Sequence, residues 1–217
     1  ETKVLNILKK ISGHKKIIRL QGSASLALEV MILNFLKGNV LVVKTGVYSD
    51  RIYEMCIFAK KEFKNIKKIE YVDWKKIDSY KGKANWVLAC YVETSLGLKL
   101  PIKKLYNLKK RLRSRLALDA TASIGLEKNH NLANVISFSS CKGLFGLTGA
   151  SFIAFKDKPK NKVESFYLDI NTHLNKGVTG PYHTILSMHK VLENYNDFKH
   201  SVIVNKNIFM KKMKGFL

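Results

Sequence analysis

Residues 135–149 read Val-Ile-Ser-Phe-Ser-Ser-Cys-Lys-Gly-Leu-Phe-Gly-Leu-Thr-Gly, an apolar run followed by a lysine and a glycine-punctuated loop. The run has the length and the β-branched and aromatic content of a buried strand, so we expect a strand to end just before Lys142. Asp119 stands at the end of an earlier apolar run, residues 116–118. Because ligands of open α/β sheets bind beyond the carboxyl ends of the strands, Asp119 and Lys142 are expected to face one crevice.

The rest of the chain alternates between apolar runs and helical patterns. Helical patterns occur at residues 25–36, 50–63, 102–113 and 181–195. Strands that are apolar throughout and separated by helices predict a three-layer, doubly wound α/β fold with a mostly parallel, seven-stranded sheet. The link over residues 144–150 is too short for a parallel crossover, so the last strand is expected to run antiparallel. The seven predicted strands are residues 17–20, 40–44, 68–72, 86–92, 116–119, 135–139 and 151–155.

The formal net charge of +23 is the usual signature of a nucleic-acid-binding protein. All but five of the 39 basic residues are lysines, however, and they are distributed over most polar segments. A nucleic-acid surface draws on arginine for bidentate and stacking contacts, so we expect a basic solvated surface and no nucleic-acid partner.

Composition indicates a globular, soluble protein. The chain has 217 residues and 46% hydrophobic content, enough for a sizeable core. No apolar run approaches the roughly 20 residues of a membrane span, and no signal-peptide pattern is present, so no membrane partner is expected. The three cysteines and six histidines show no metal-ligand spacing, so no metal site is expected and a reducing cytoplasm is the expected location.

A tight turn at residues 21–25, Gln-Gly-Ser-Ala-Ser, lies between a predicted strand and an apolar helix. Its hydroxyls and N–H groups at a helix N-terminus would form an anion site. The same turn could serve only as a helix N-cap, with Ser23 or Ser25 as the capping residue. Asp119 could likewise cap a turn, and Tyr48, which follows a strand and a glycine, could be a packing residue.

Six motifs, taken in order, resemble those of the class V aminotransferases, which belong to the fold-type-I pyridoxal phosphate enzymes. Within that class the resemblance is to the subfamily that transaminates 2-aminoethylphosphonate with pyruvate. Ala24 stands where this family usually has glycine, and Cys141 where the subfamily often has asparagine. The six motifs occupy residues 22–29, 44–51, 93–97, 118–125, 139–142 and 178–184.

This resemblance implies a role for each motif. Lys142 would bond covalently to pyridoxal 5'-phosphate and shuttle the substrate proton, and Asp119 would pair with the ring nitrogen. Tyr48 would stack on the ring, and a loop containing Thr179 and Tyr182 would reach the cofactor phosphate of a neighbouring subunit. The residues expected to bind the cofactor are Ser23, Ala24, Ser25, Tyr48, Thr94, Asp119, Thr121, Ser139, Lys142, Thr179 and Tyr182.

The resemblance also implies a reaction and partners. The amino group of 2-aminoethylphosphonate would pass to pyruvate, giving phosphonoacetaldehyde and alanine, or the reverse in biosynthesis. The partners would be a small-molecule amino donor, a 2-oxo acid acceptor and a second copy of the chain with shared cofactor sites. Residues 1–195 would form the large, cofactor-binding domain, and residues 196–217 the start of a small domain that is largely missing.

Two alternatives remain open. The first is another class V aminotransferase, of the alanine–glyoxylate or serine–pyruvate type. The second is a catalytically inactive partial copy that acts as a dimerising protein.

Overall fold

The computed structural model describes residues 1–175 and 177–215. Helices alternate with strands along most of this part of the chain. The helices are α1 (Thr2–Ser12), α2 (Ala24–Phe35), α3 (Val47–Phe63), α4 (Ile102–Arg111), α5 (Ile170–Asn175), α6 (Tyr182–Glu193) and α7 (Tyr195–Lys212). The strands are β1 (Lys16–Gln21), β2 (Gly38–Lys44), β3 (Ile66–Asp73), β4 (Trp86–Cys90), β5 (Val92–Glu93), β6 (Leu98–Lys99), β7 (Arg115–Asp119), β8 (Val135–Ser139) and β9 (Ala150–Phe155).

Seven of the strands form one sheet in the order β1-β9-β8-β7-β4-β2-β3. All run in the same direction except β9, which pairs antiparallel with both β1 and β8. The predicted mostly parallel, seven-stranded α/β sheet is therefore confirmed, as is the antiparallel last strand. The parallel register places Asp119 opposite Ser137, so the ends of β7 and β8 lie side by side.

Two apolar cores cover the two faces of the sheet. On one face, alternate strand residues such as Val42 and Leu88 pack beneath α2 and α3. On the other face, Leu41 and Leu118 pack with apolar side chains of α1, α4 and α6. The inner strands β4, β8 and β9 bury both of their faces, which is why they read as continuous apolar runs, whereas the edge strand β3 is only partly buried.

Several boundaries differ from the sequence prediction. Helix α4 ends at Arg111 because Arg113 adopts a left-handed conformation (φ 51°), and Arg115 already belongs to β7. The predicted strand over residues 86–92 is interrupted at Tyr91, after which β5 pairs with β6 in a separate two-stranded sheet.

Helices α1 and α7 were not predicted. In α1, Val4 and Leu8 are buried one turn apart. Helix α7 buries none of its residues. Its aromatic rings contact Phe145: the ring centroid of Phe198 lies 5.7 Å from that of Phe145, and the ring centroid of Tyr195 lies 6.2 Å from it. The proposed division between residues 195 and 196 stays a prediction, and residues 216 and 217 lie outside the described residues. No helix in residues 1–175 and 177–215 combines the length and the apolar character needed to cross a membrane.

Candidate active site

A cavity of about 390 Å³ opens at the edge of the sheet where the parallel strands end. Its walls come from the turn after β1, the first turn of α3, the ends of β4, β7 and β8, and the loop that leads into β9. Nine of the residues expected to bind the cofactor line this cavity. They are Ser23, Ala24, Ser25, Tyr48, Thr94, Asp119, Thr121, Ser139 and Lys142.

The turn before α2 presents free hydroxyl and N–H groups to the cavity. Ser23 is the N-cap residue, but its side chain bonds no helix N–H, and Ser25 lies inside the helix. The Gly22 N–H donates to the Gly149 carbonyl at 3.0 Å, which ties the turn to the opposite wall. A Cβ atom at Gly22 would stand 2.5 Å from Leu26 Cδ2, so that side chain would have to move. The expected anion site at this turn stays a prediction.

Asp119 is held at the end of β7 by the residue two positions ahead, since the Thr121 N–H donates to Asp119 Oδ1 at 2.9 Å. Burial raises the pKa of the Asp119 carboxyl above its ordinary value of 3.8. The Thr121 hydrogen bonds and the charge of Lys142 act in the opposite direction. A carboxyl group in this state gains stability from a further cationic partner, such as a protonated ring nitrogen.

Lys142 begins the loop between β8 and β9. The N–H of Ser140 donates to the Ala150 carbonyl at 2.9 Å, and its hydroxyl bonds Ala150 and Leu147 across the loop. These bonds fix both ends of the loop, and Lys142 Nζ lies 4.8 Å from the centroid of the Tyr48 ring. The lysine amine and the predicted stacking residue therefore face the same space.

A buried carboxylate positions the first turn of α3. Glu93, fully shielded from solvent, accepts the N–H groups of Tyr48 at 3.4 Å and Ser49 at 3.3 Å. It also accepts the Thr45 hydroxyl at 3.1 Å. An acidic group at a helix N-terminus satisfies N–H groups that lack partners within the helix. Because Thr94 follows Glu93 directly, this contact sets the position of both Tyr48 and Thr94.

Sequence reasoning missed Arg51, which also lines the cavity. Its guanidinium carbon lies 5.4 Å from the centroid of the Tyr48 ring. Residues three apart on a helix are neighbours on one face, so the spacing of Tyr48 and Arg51 was the signal that could have identified it. The other lining residues that were not predicted to bind the cofactor are Gly22, Leu28, Cys90, Val92, Ala122, Cys141, Thr148, Gly149 and Ala150.

Thr179 and Tyr182 do not line the cavity of their own chain. Their segment is held at its margin, where Arg19 Nη2 donates to the Val178 carbonyl and the Arg19 guanidinium lies 5.8 Å from the Tyr182 ring. Tyr182 is 53% exposed. The expected roles of these and the other site residues stay predictions. Within the described part of the chain, no group of three or more His, Cys, Asp or Glu side chains is placed to hold a metal ion.

The architecture is that of the aminotransferases. The chain superimposes on aspartate aminotransferase subgroup IV from Thermus thermophilus with a TM-score of 0.78, 20% identity, and coverage of 92% of this chain and 62% of that one. With pyridoxamine–pyruvate aminotransferase from Mesorhizobium loti the TM-score is 0.76 at 18% identity, with coverage of 92% and 58%.

Sequence comparison identifies similar proteins that share one name. The chain is 25% identical over 206 residues to 2-aminoethylphosphonate–pyruvate transaminase from Pseudomonas aeruginosa, which covers 85% of this chain and 56% of that protein. The protein of the same name from Pseudomonas putida is 25% identical over 216 residues, with coverage of 89% and 58%. The resemblance expected from the motifs is confirmed, although the chain spans little more than half the length of these relatives. No family model matches the chain.

Proposed function

We propose that this chain forms the cofactor-binding part of a pyridoxal 5'-phosphate-dependent aminotransferase. The observation that carries the proposal is the convergence of Asp119, Lys142 and the N-terminus of α2 on one cavity at the carboxyl edge of the sheet. Each of these groups suits a different part of the same cofactor.

The donor set fits the cofactor along its whole length. The hydroxyls of Ser23 and Ser25 and the N-terminal N–H groups of α2 suit a phosphate dianion. The carboxylate of Asp119, which accepts the Thr121 N–H at the end of β7, suits a ring nitrogen that must stay protonated. Lys142 supplies a primary amine on the same side of the cavity as the Tyr48 ring.

When bound, the cofactor supplies an aldehyde that takes up the amino group and a ring that accepts electrons. Lys142 would act as general base and acid, holding the proton that leaves the substrate α-carbon. Asp119 would keep the proton on the ring nitrogen. Glu93 holds the helix turn that carries Tyr48, which would stack on the ring, and Thr94 would offer a hydroxyl to the phenolic oxygen.

For the substrates, we propose 2-aminoethylphosphonate as amino donor and pyruvate as acceptor, supported by the names of the curated relatives. A panel of amino donors run on purified protein tests this choice. Faster turnover with alanine and glyoxylate or with serine would favour another class V activity. An absence of turnover with every donor would favour an inactive partial copy that dimerises.

We further propose a homodimer with shared cofactor sites in the cytoplasm. The donors of Thr179 and Tyr182 lie outside the cavity of their own chain, where they are accessible to a second copy. Two-fold closure is the commonest symmetry of soluble oligomers. Sedimentation tests this arrangement: a clean monomer that retains the cofactor tightly would contradict it. Three free thiols, Cys56, Cys90 and Cys141, suit a reducing compartment.

The experiment that tests the function is chemical labelling of the lysine. Protein loaded with pyridoxal 5'-phosphate is reduced with borohydride, digested and mapped by mass spectrometry. We expect the label on Lys142, and its loss in Lys142→Ala but not in Lys99→Ala, a surface control paired with Glu127. A label on another lysine, or none in the parent protein, would overturn the assignment.

A further inference from the structure

Arg51 is a cation on the wall of the candidate active site whose N–H groups have no acceptor within residues 1–175 and 177–215. Its guanidinium carbon lies over the Tyr48 ring, 5.4 Å from the ring centroid. The adjacent carboxylate of Asp50 is occupied by the Tyr71 hydroxyl. By contrast, Arg111 donates to the Ile77 carbonyl at 2.7 Å and so has a structural role.

The charges that line the cavity leave Arg51 available to a substrate. The charged lining residues are Arg51, Asp119 and Lys142. Under the proposed function Asp119 pairs with the ring nitrogen and Lys142 bonds to the cofactor. Arg51 is then the charged lining residue with no assigned partner. Arg51 is an exposed residue of the cavity wall, and a guanidinium there is well suited to a planar or tetrahedral oxyanion, which it binds through two parallel N–H groups.

The position of Arg51 relative to Lys142 limits the size of the ligand. Arg51 and Lys142 approach the same Tyr48 ring, with their cationic groups 5.4 and 4.8 Å from its centroid. A substrate amine must reach the reaction centre at Lys142. The two cationic groups lie no more than about 10 Å apart, which sets an upper limit on the span between the amine and the oxyanion of a compound that also places an acidic group at Arg51.

We propose that Arg51 binds the oxyanion group of the amino donor, so that this site selects short amines that carry a phosphonate or a carboxylate. The inference rests on the proposed function, because it takes the cofactor positions of Asp119 and Lys142 from it. Arg51 is then a specificity-determining residue supplied by α3 of the large domain.

Binding of ethylphosphonate, which has the oxyanion but no amine, tests the proposal without relying on turnover. Calorimetric titrations are made on the full chain, both before and after loading with pyridoxal 5'-phosphate. In the loaded protein, where the cofactor would fill the anion site at Ser23 and Ser25, Arg51→Gln should weaken ethylphosphonate binding about tenfold to a hundredfold, the usual effect of losing a charge-assisted hydrogen bond. In the unloaded protein it should remove one of two anion sites. Arg51→Lys should retain part of the affinity, because it keeps the charge but not the fork of donors.

The matched control is Arg115→Gln. Arg115 also lies over an aromatic ring, 5.6 Å from the centroid of Trp86, but at the start of β7 instead of at its end. This variant removes the same charge and should bind ethylphosphonate like the parent protein. Circular dichroism melting curves verify that both variants are folded.

Two results would overturn the proposal. One is equal ethylphosphonate affinity in the parent protein and Arg51→Gln. The other is loss of ethylphosphonate binding on cofactor loading together with weaker cofactor retention in Arg51→Gln, which would assign Arg51 to the cofactor phosphate. If the proposed function is wrong, the borohydride label will be absent from Lys142. In that case oxyanion binding at Arg51 is decided by comparing the ethylphosphonate affinity of the unloaded parent protein with that of unloaded Arg51→Gln.

Discussion

Replacement of Glu93 by alanine should destabilise the protein, because it leaves buried hydrogen-bond donors without an acceptor. The carboxylate is completely buried and accepts the Thr45 hydroxyl at 3.1 Å and the Ser49 N–H at 3.3 Å, both from buried residues. A buried donor left without an acceptor costs about 1–3 kcal/mol. The remaining donors are the Tyr48 N–H and the N–H and hydroxyl of Ser95, and they belong to residues that are not buried and can turn to water. We therefore expect Glu93→Ala to lower the free energy of unfolding by about 3 kcal/mol.

Urea denaturation followed by circular dichroism measures this change. Two control variants show how much of the stability loss comes from removing the buried carboxylate and how much any substitution would cause. Ser95→Ala removes one donor to the same carboxylate and should cost less than about 1 kcal/mol. Glu164→Ala removes a carboxylate that is 82% exposed, and should change stability by no more than about 0.5 kcal/mol.

A Glu93→Ala variant within about 1 kcal/mol of the parent protein would refute the reasoning. Such a result would mean that water reaches Thr45 and Ser49 and replaces the carboxylate. The first turn of α3 would then be positioned by packing alone.

Three further predictions concern pH, catalysis and the lysine loop. Burial lowers the pKa of His130 from 6.5 to about 4, so the unfolded chain binds the proton more readily than the folded one. His130 should therefore lower the free energy of unfolding by about 3 kcal/mol as the pH falls from 6.5 to 4. In urea titrations of His130→Gln the drop should be smaller by about this amount, and the rest includes His14, whose pKa burial also lowers. Asp119→Asn should abolish transamination while the cofactor absorbance band persists, because an amide cannot hold the ring proton; near-normal turnover would make Asp119 structural. Gly143→Ala should cost about 1–3 kcal/mol in urea denaturation, because its Cβ would run into the Ile124 carbonyl, and parent-like stability would show that the loop shifts freely.

The arrangement of the sheet could be predicted because burial on both faces leaves a direct mark on sequence. The inner strands, such as β4 and β8, are buried at every position, and strand ends in a parallel sheet converge at one edge. Asp119 and Lys142 could be placed in one cavity from these two facts alone.

Features that depend on side-chain direction or on distant contacts could not be predicted. Helix α3 was expected to begin at residue 50 but begins at Val47, so Tyr48 and Arg51 lie within its first turns on one face. The burial of Glu93 depends on donors that lie more than forty positions away in sequence. Helix α7 buries none of its described residues, and so has no apolar periodicity to reveal it.

The antiparallel strand β9 also has a consequence for the order of folding. Strand β8 meets β9 through a short loop, whereas β1 pairs with β9 between Lys16 and Phe155, the largest sequence separation in the sheet. Closing so long a segment carries a large entropic barrier, so we expect β1 to dock after the central strands have assembled. The turn that follows β1 is joined to Gly149 only once this docking is complete. Binding of an anion at Ser23 and Ser25 would therefore follow the last step of chain assembly and would hold the N-terminal strand in place.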